Sequence, residues 1–260
     1  AAMMRAFRDA SPGTGLVFAS FVSEEVGGEG AQYAVEHGFA PDRAVVGEGS
    51  TGYSAPGVTD VAVAHKGRRG STITARGTPA HASEPESGDN AIYRACEAVD
   101  ALRDCPLPSV EIRGGTLSGT LAVTEIQGGS AWNVIPETCS ITVDERTVPG
   151  ERVDVASIVT HPAVEWTVDQ DWPPMQCDDP GFVEAALDAA GTVQDGAPEA
   201  VVKPHATDAG WLSDAGVSCV VCGPAEPGEA HTADESVSIA VLERCERLYR
   251  NLADAHCVAR

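Results

Sequence analysis

Short runs of apolar residues separated by helical segments constrain this chain most strongly. Residues 16–22 (LVFASFV) are apolar almost throughout, and residues 44–46 form a second, shorter run. Such runs are typical of strands that are covered on both faces. Residues 31–37 between them have helical spacing, and Gly38 favours the end of a helix there. Strands that alternate with helices predict an α/β domain with a mostly parallel central sheet.

The pattern changes from about residue 61. Six elements are expected in the order strand, helix, strand, strand, helix, strand: residues 71–76, 90–102, 121–126, 139–144, a short helix near Val153, and 164–168. This order is the split βαβ, or ferredoxin-like, arrangement. Its sheet has an open face that must be covered, and pairing with a second copy of the chain would cover it.

The α/β alternation resumes after residue 171. Helices are expected at 181–190, after Thr207 and at 236–253, with strands near Val201 and at 217–222. The simplest organisation is one domain inserted into another. We therefore expect residues 1–60 and 171–260 to form an α/β domain, and residues 61–170 to form an inserted α+β domain.

The charge of the chain limits its partners and its setting. Asp and Glu total 39 against 17 Lys and Arg, a net charge of −22, and only Lys66 and Lys203 are lysines. Self-repulsion of this size favours a salt-rich cytoplasm, where salt screens it. No basic stripe is available for nucleic acid. No apolar run is long enough for a membrane helix, and the start lacks the order of a signal peptide, so we expect a soluble cytoplasmic protein.

Acidic residues follow two of the apolar runs directly. Glu24 and Glu25 come after residues 16–22, and Glu48 comes after residues 44–46 in a glycine-rich turn. His231 follows the strand expected at 217–222. Ligands of α/β sheets bind beyond the carboxyl ends of strands, where carboxylates and an imidazole fit a divalent metal site. Taken alone, Glu24 and Glu25 are equally compatible with solvated loop positions, Glu48 is weak evidence, and a lone loop histidine such as His231 is usually not a ligand.

Longer motifs accompany these residues in a fixed order along the chain. They are SEEVGGEGA at 23–31, VGEGS at 46–50, GTPAHAS at 77–83, GDNAI at 88–92, NVIP at 133–136, DERTVP at 144–149, TD at 207–208, GP at 223–224 and AHTADE at 230–235. In this order the chain resembles the M20 family of metallopeptidases and deacylases, of the acetylornithine deacetylase and succinyl-diaminopimelate desuccinylase type. The resemblance covers nearly the whole chain.

The resemblance implies roles for the residues of the α/β domain. Glu24 would be the general base that activates the attacking water. Glu25 and His231 would bind one divalent metal ion and Glu48 a second, with zinc as the expected metal and cobalt as an alternative. The family pattern also places a His-x-Asp ligand and a bridging aspartate before the matching region. We therefore expect this chain to lack an N-terminal segment that holds both, together with the first strands of the sheet.

Further roles fall on the inserted domain, which in this family is a lid and dimerisation domain. His81 would reach the active site of the partner in a homodimer and steady the tetrahedral oxyanion. Asn133 and Arg146 would contact the substrate, since the planar fork of an arginine suits a carboxylate.

Four functions stay open at this point. The first is hydrolysis of the amide bond of N-acyl amino acids, and the second is a di- or carboxypeptidase activity of the same family. The third is a truncated, non-catalytic form without the first histidine ligand and the bridging aspartate. The fourth is a binding protein that uses a metal-free cleft.

Overall fold

The computed structural model describes residues 1–10, 15–113 and 115–257, with side chains up to residue 255. The chain divides into two compact units. Unit 1 comprises Ala1–His65 and Pro173–Arg260, and unit 2 comprises Lys66–Trp172. The inserted domain was expected at residues 61–170, whereas residues 61–65 lie in unit 1 and residues 171–172 lie in unit 2.

The helices and strands are numbered in chain order. The helices are α1 (Ala2–Asp9), α2 (Glu29–Glu36), α3 (Ala91–Arg103), α4 (Val155–Ile158), α5 (Pro180–Gly191), α6 (Ala209–Asp214) and α7 (Ile239–Cys257). The strands are β1 (Arg43–Val46), β2 (Val61–His65), β3 (Arg68–Arg76), β4 (Ser109–Ile112), β5 (Gly115–Ser118), β6 (Thr120–Gly128), β7 (Thr138–Arg146), β8 (Val164–Trp172), β9 (Met175–Gln176), β10 (Ala200–Lys203) and β11 (Ser218–Val221). Within the described ranges, no helix is long and apolar enough to cross a membrane.

Unit 1 is built on a five-stranded sheet with the order β1-β11-β2-β10, and β9 pairs with β2. The pairs β1/β11 and β2/β10 are parallel, whereas β11/β2 and β2/β9 are antiparallel. The α/β architecture with a central sheet is confirmed, and the sheet is mixed: its parallel pairs join four residues each, whereas the antiparallel pairs join one or two. Apolar patterning reports burial and not strand direction, so the sequence did not reveal the reversed β2 and β10.

The strand predicted at residues 16–22 is wrong. Residues 15–21 form neither helix nor strand, and they belong to none of the ladders found in the described residues. Val17 is 65% and Val22 is 72% exposed. The run is held by aromatic contacts instead, since the ring centroids of Phe18 and Phe7 are 5.9 Å apart and those of Phe21 and Phe39 are 5.8 Å apart. An apolar run becomes a strand only where a neighbouring strand pairs with it.

Unit 2 contains a four-stranded antiparallel sheet with the order β6-β7-β3-β8. Together with α3 and α4 this is the predicted ferredoxin-like arrangement. Helix α3 begins at Asn90, whose side-chain oxygen accepts from the Ile92 amide at 2.9 Å. The sequence did not predict the β4/β5 hairpin, which lies between α3 and β6 along the chain.

The core of unit 2 lies between this sheet and its helices. Ile73 and Ile141 face each other across β3 and β7, and both are 0% exposed. We expect Ile141→Ala to lower the free energy of unfolding by about 2–5 kcal/mol, because it removes buried methyl groups and leaves a cavity. Urea unfolding followed by circular dichroism at high salt measures the loss. Ile239→Ala is the matched control, since Ile239 is 74% exposed, and an equal loss for both variants would contradict this packing.

Candidate functional site

The first acidic segment lies in a tight turn that packs against α6. Glu24–Val26 form one turn of 3₁₀ helix, and Gly27 and Gly28 follow it with φ of 121° and 70°. The indole Nε1 of Trp211 donates to the Gly27 carbonyl at 3.0 Å. A Cβ on Gly28 would lie 2.8 Å from both Trp211 Nε1 and Asp208 Oδ1. A glycine at position 28 therefore allows α6 to approach the segment that carries Glu24.

The turn after β1 holds Glu48 against the turn after β11. The Ser50 amide donates to the Gly223 carbonyl at 2.9 Å, and the Gly223 amide donates to Ser50 Oγ at 3.1 Å. The two strands are parallel, so their carboxyl ends meet at one edge of the sheet. Glu48 thus lies beyond a strand end, as the sequence predicted.

The electrostatic environment links Glu24 to the other acids of unit 1. Burial raises the pKa of Glu24 to about 7, and repulsion from Glu48, Asp208 and Glu25 adds to this shift. Burial, followed by repulsion from Glu48, also raises the pKa of Asp208 to about 6. These groups concentrate negative potential in a partly dry region, which a cation would relieve.

Asp208 also belongs to this region. It occupies the N-cap position of α6, yet its side chain makes no capping hydrogen bond. Instead, the hydroxyl of Thr207 accepts from the Ala209 amide at 3.2 Å. The Oδ1 atom of Asp208 is buried and has no hydrogen-bond partner. The Asp208 carboxylate therefore does not cap the helix, and it can contact a ligand instead.

Lys203 is the site residue that sequence reasoning missed. It ends β10, is 6% exposed, and donates from Nζ to the Gly49 carbonyl. Burial lowers the pKa of Lys203, while attraction to Glu48 and Glu24 opposes that shift. The sequence marks Lys203 in one way only: it is one of two lysines in the chain, and it ends a short apolar strand. The buried ammonium of Lys203 thus compensates part of the negative charge of Glu48 and Glu24.

The side chains of Glu25 and His231 lie close together and are exposed to solvent. His231 Nδ1 lies 3.9 Å from Glu25 Oε2, with the two side chains 77% and 75% exposed. His231 has φ of 62°, a region that non-glycine residues rarely adopt. Among the described residues, no three or more His, Cys, Asp or Glu side chains are arranged to hold a metal ion.

Two of the three candidate residues in unit 2 are neighbours. Val134 pairs with His81 in an isolated bridge, and the Asn133 carbonyl accepts from the Ala82 amide at 2.9 Å. The ring atom Nδ1 of His81 lies 3.2 Å from the Ser83 amide, which donates to it. Because Nδ1 accepts this hydrogen bond, the proton of a neutral His81 ring is on Nε2, and Nε2 is therefore a hydrogen-bond donor.

Arg146, the third candidate in unit 2, is engaged within its own strand. Its Nε and Nη2 atoms donate to the two carboxylate oxygens of Asp144 at 2.7 and 3.2 Å. Arg68 donates to the same carboxylate at 2.9 Å. The planar fork of Arg146 is thus bound to a carboxylate that belongs to the protein.

Comparison with known proteins identifies one domain and several relatives. Residues 63–164 match the M20 peptidase dimerisation domain. The chain is also 30% identical over 258 residues to an acetylornithine deacetylase of Myxococcus xanthus, an alignment that covers 91% of this chain and 64% of the relative. The chain contains an M20 peptidase dimerisation domain. A second relative is the putative succinyl-diaminopimelate desuccinylase of Mycobacterium tuberculosis, 30% identical over 183 residues, or 68% of this chain and 50% of the relative.

The fold of this chain also matches solved structures. The aminopeptidase PepT of Bacillus cereus superposes with a TM-score of 0.73 at 20% identity, over 92% of this chain and 63% of that one. The chain thus spans 64% or less of the length of these relatives.

Similarity to M20 metallopeptidases implies divalent metal ions, and the side chains of unit 1 include groups that bind such cations. Glu25 and His231 supply a carboxylate oxygen and an imidazole nitrogen, which are zinc ligand types. The buried, unpartnered Asp208 Oδ1 and the raised pKa of Glu24 show a local excess of negative charge. The described residues supply a pair of ligands and not a complete set, so they would hold a metal only with further ligands.

Proposed function

We propose that this protein is a metal-dependent hydrolase that cleaves the amide bond of N-acyl amino acids. One observation carries the proposal: a partly buried Glu24 lies beside the exposed pair of Glu25 and His231. The two relatives at 30% identity support the substrate class, since they are named an acetylornithine deacetylase and a putative succinyl-diaminopimelate desuccinylase.

The residues of unit 1 divide the chemistry between them. Glu25, His231 and Glu48 would hold divalent metal, zinc or cobalt, which supplies polarisation of the amide carbonyl and activation of water. Glu24 is the proton carrier: its carboxylate takes a proton from the attacking water and delivers it to the leaving amine nitrogen. A group that accepts and returns a proton near neutral pH works best with a pKa near 7, and the partly buried position of Glu24 favours such a value.

Unit 2 would supply the residues that position the substrate in a homodimer. The Nε2–H of His81 is a hydrogen-bond donor of the type that stabilises an oxyanion, and Asn133 lies next to it. For Arg146 to bind a substrate carboxylate, that carboxylate must replace Asp144. We place the enzyme in a salt-rich cytoplasm, because its net charge of −22 requires screening.

A substrate panel tests this proposal. The protein is expressed from its full reading frame, treated with EDTA, and assayed at high salt with acetylornithine, succinyl-diaminopimelate and dipeptides. We expect release of amine from the acylated amino acids after addition of Zn²⁺ or Co²⁺ and none before it. Turnover of dipeptides alone would replace the deacylase proposal with a peptidase. No hydrolysis of any amide at saturating metal would contradict the proposed function altogether.

A further inference from the structure

An open cleft of about 680 Å³ lies in unit 1 between α7 and the segments before β2 and β10. Two arginines of α7, Arg244 and Arg247, line it, three residues apart and hence on one face of the helix. Its other lining residues include Val58, Val193 and one carboxylate, that of Asp195. None of the residues placed above in the candidate metal site lines this cleft.

The two arginines are unusual in this acid-rich chain because they have no acidic partner. Most of the other arginines pair with a carboxylate, as Arg43 does with Asp179 at 2.7 Å and Arg69 with Glu145 at 2.5 Å. Across the described ranges, no carboxylate lies within 4.0 Å of Arg244 or Arg247, so neither forms an ion pair. With 39 acidic side chains available, two unpaired guanidinium groups in one cleft mark a local site of positive charge.

The position of Arg244 is fixed by a set of hydrogen bonds. Its Nη2 donates to Thr59 Oγ1 at 2.6 Å, and Thr59 Oγ1 is 3.0 Å from Thr51 Oγ1. The side-chain amide of Gln194 bonds both the amide and the carbonyl of Thr59 at 2.9 Å. The Nε atom of Arg244 is buried and has no hydrogen-bond partner. A guanidinium held in this way loses little conformational freedom on binding a ligand.

Arg247 leaves most of its donors available. It is exposed, and its Nη2 makes one long contact, 3.5 Å, with the Val193 carbonyl. Each guanidinium carries five N–H donors in a planar fork that matches the oxygens of a carboxylate or a phosphate. Val58 and Val193 add an apolar wall beside these donors.

We propose that this cleft binds a small organic oxyanion, a carboxylate or a phosphate ester, through Arg244 and Arg247. The charged head lies between the two guanidinium groups and the apolar part lies against Val58 and Val193. This site is independent of the proposed hydrolase site, so either proposal can fail without the other.

Calorimetric titration of the full protein tests the site, with inorganic phosphate and succinate as separate probes. The protein is first stripped of metal with EDTA and then dialysed free of it, because EDTA is itself a polycarboxylate, and potassium chloride keeps the ionic strength constant. We expect saturable binding of at least one probe at one site per chain. Phosphate alone indicates a phosphate ester as ligand, and succinate alone indicates a carboxylate.

Three variants identify the residues. Arg247→Gln removes an exposed side chain and should fold normally, and we expect it to weaken binding at least about tenfold, as the loss of a charge-assisted hydrogen bond does. Arg244→Gln should do the same. Arg250→Gln, on the same helix but outside the cleft, should bind like the parent. The inference is overturned if neither probe binds, or if Arg247→Gln and the parent bind equally well.

Discussion

Glu24→Gln is expected to lower kcat for amide hydrolysis by roughly 10²–10⁴-fold, the range associated with loss of general acid–base catalysis. Glutamine keeps the size of the side chain and can neither accept nor return a proton. KM should change little, because Glu24 is proposed to act on the proton and not on the bound substrate. Steady-state kinetics at saturating metal measure both constants.

Glu29→Gln is the matched control for this prediction. Glu29 begins α2, five residues after Glu24, and it is exposed. The control should retain the activity of the parent, and both variants should bind metal as the parent does. If Glu24→Gln keeps its kcat, another group moves the proton and the role assigned to Glu24 is wrong.

Lys203→Gln is expected to lower the free energy of unfolding of the metal-free protein by about 2–3 kcal/mol. Removing one partner of a buried charge cluster leaves the other charges uncompensated, and the cost is reduced here because Glu24 is partly exposed. Urea unfolding in EDTA and high salt, with Lys66→Gln as control, measures the effect. An equal effect of both substitutions would mean that Lys203 does not act as a counter-charge.

The cost of Lys203→Gln should depend on pH. The pKa of Glu24 is about 7 in the folded chain and 4.5 ordinarily, so the folded state binds more protons than the unfolded state between these values. The free energy of unfolding therefore falls as the pH rises through this window. Without Lys203 the ionised carboxylates repel one another more strongly, so the variant should lose more stability near pH 8 than near pH 5.

A double-mutant cycle identifies the partner of Lys203. If its ammonium compensates Glu24, the combined variant Glu24→Gln with Lys203→Gln should be more stable near pH 8 than the sum of the single effects implies. Strict additivity would show that Lys203 stabilises the Glu48 turn through its bond to Gly49 instead.

The sequence predicted unit 2 better than unit 1, for physical reasons. In β3 and β7 every second residue is buried, so the polar–apolar alternation is visible in the sequence. The β4/β5 hairpin was missed because its strands have four residues each, too few to show a period. Residues 16–22 satisfied the pattern of a buried strand, but their pairing depends on distant neighbours that local sequence does not report.

The candidate site was predicted only where motifs marked it. Glu24, Glu25, Glu48 and His231 all lie in unit 1, and the structure places Glu25 and His231 3.9 Å apart. Lys203 is far from them in sequence, and its burial against Gly49 follows from the tertiary fold alone.

Zinc titration of the metal-free protein, expressed from its full reading frame, tests the central claim, that Glu25, Glu48 and His231 take part in a divalent metal site. We expect Zn²⁺ to bind, and both Glu25→Gln and His231→Gln to weaken binding at least about tenfold, because each removes a direct ligand. His37→Gln should bind like the parent, since His37 is exposed directly after α2 and its Nδ1 contacts the Tyr33 carbonyl at 2.7 Å. Absence of zinc binding, or unchanged affinity in both ligand variants, would contradict the account.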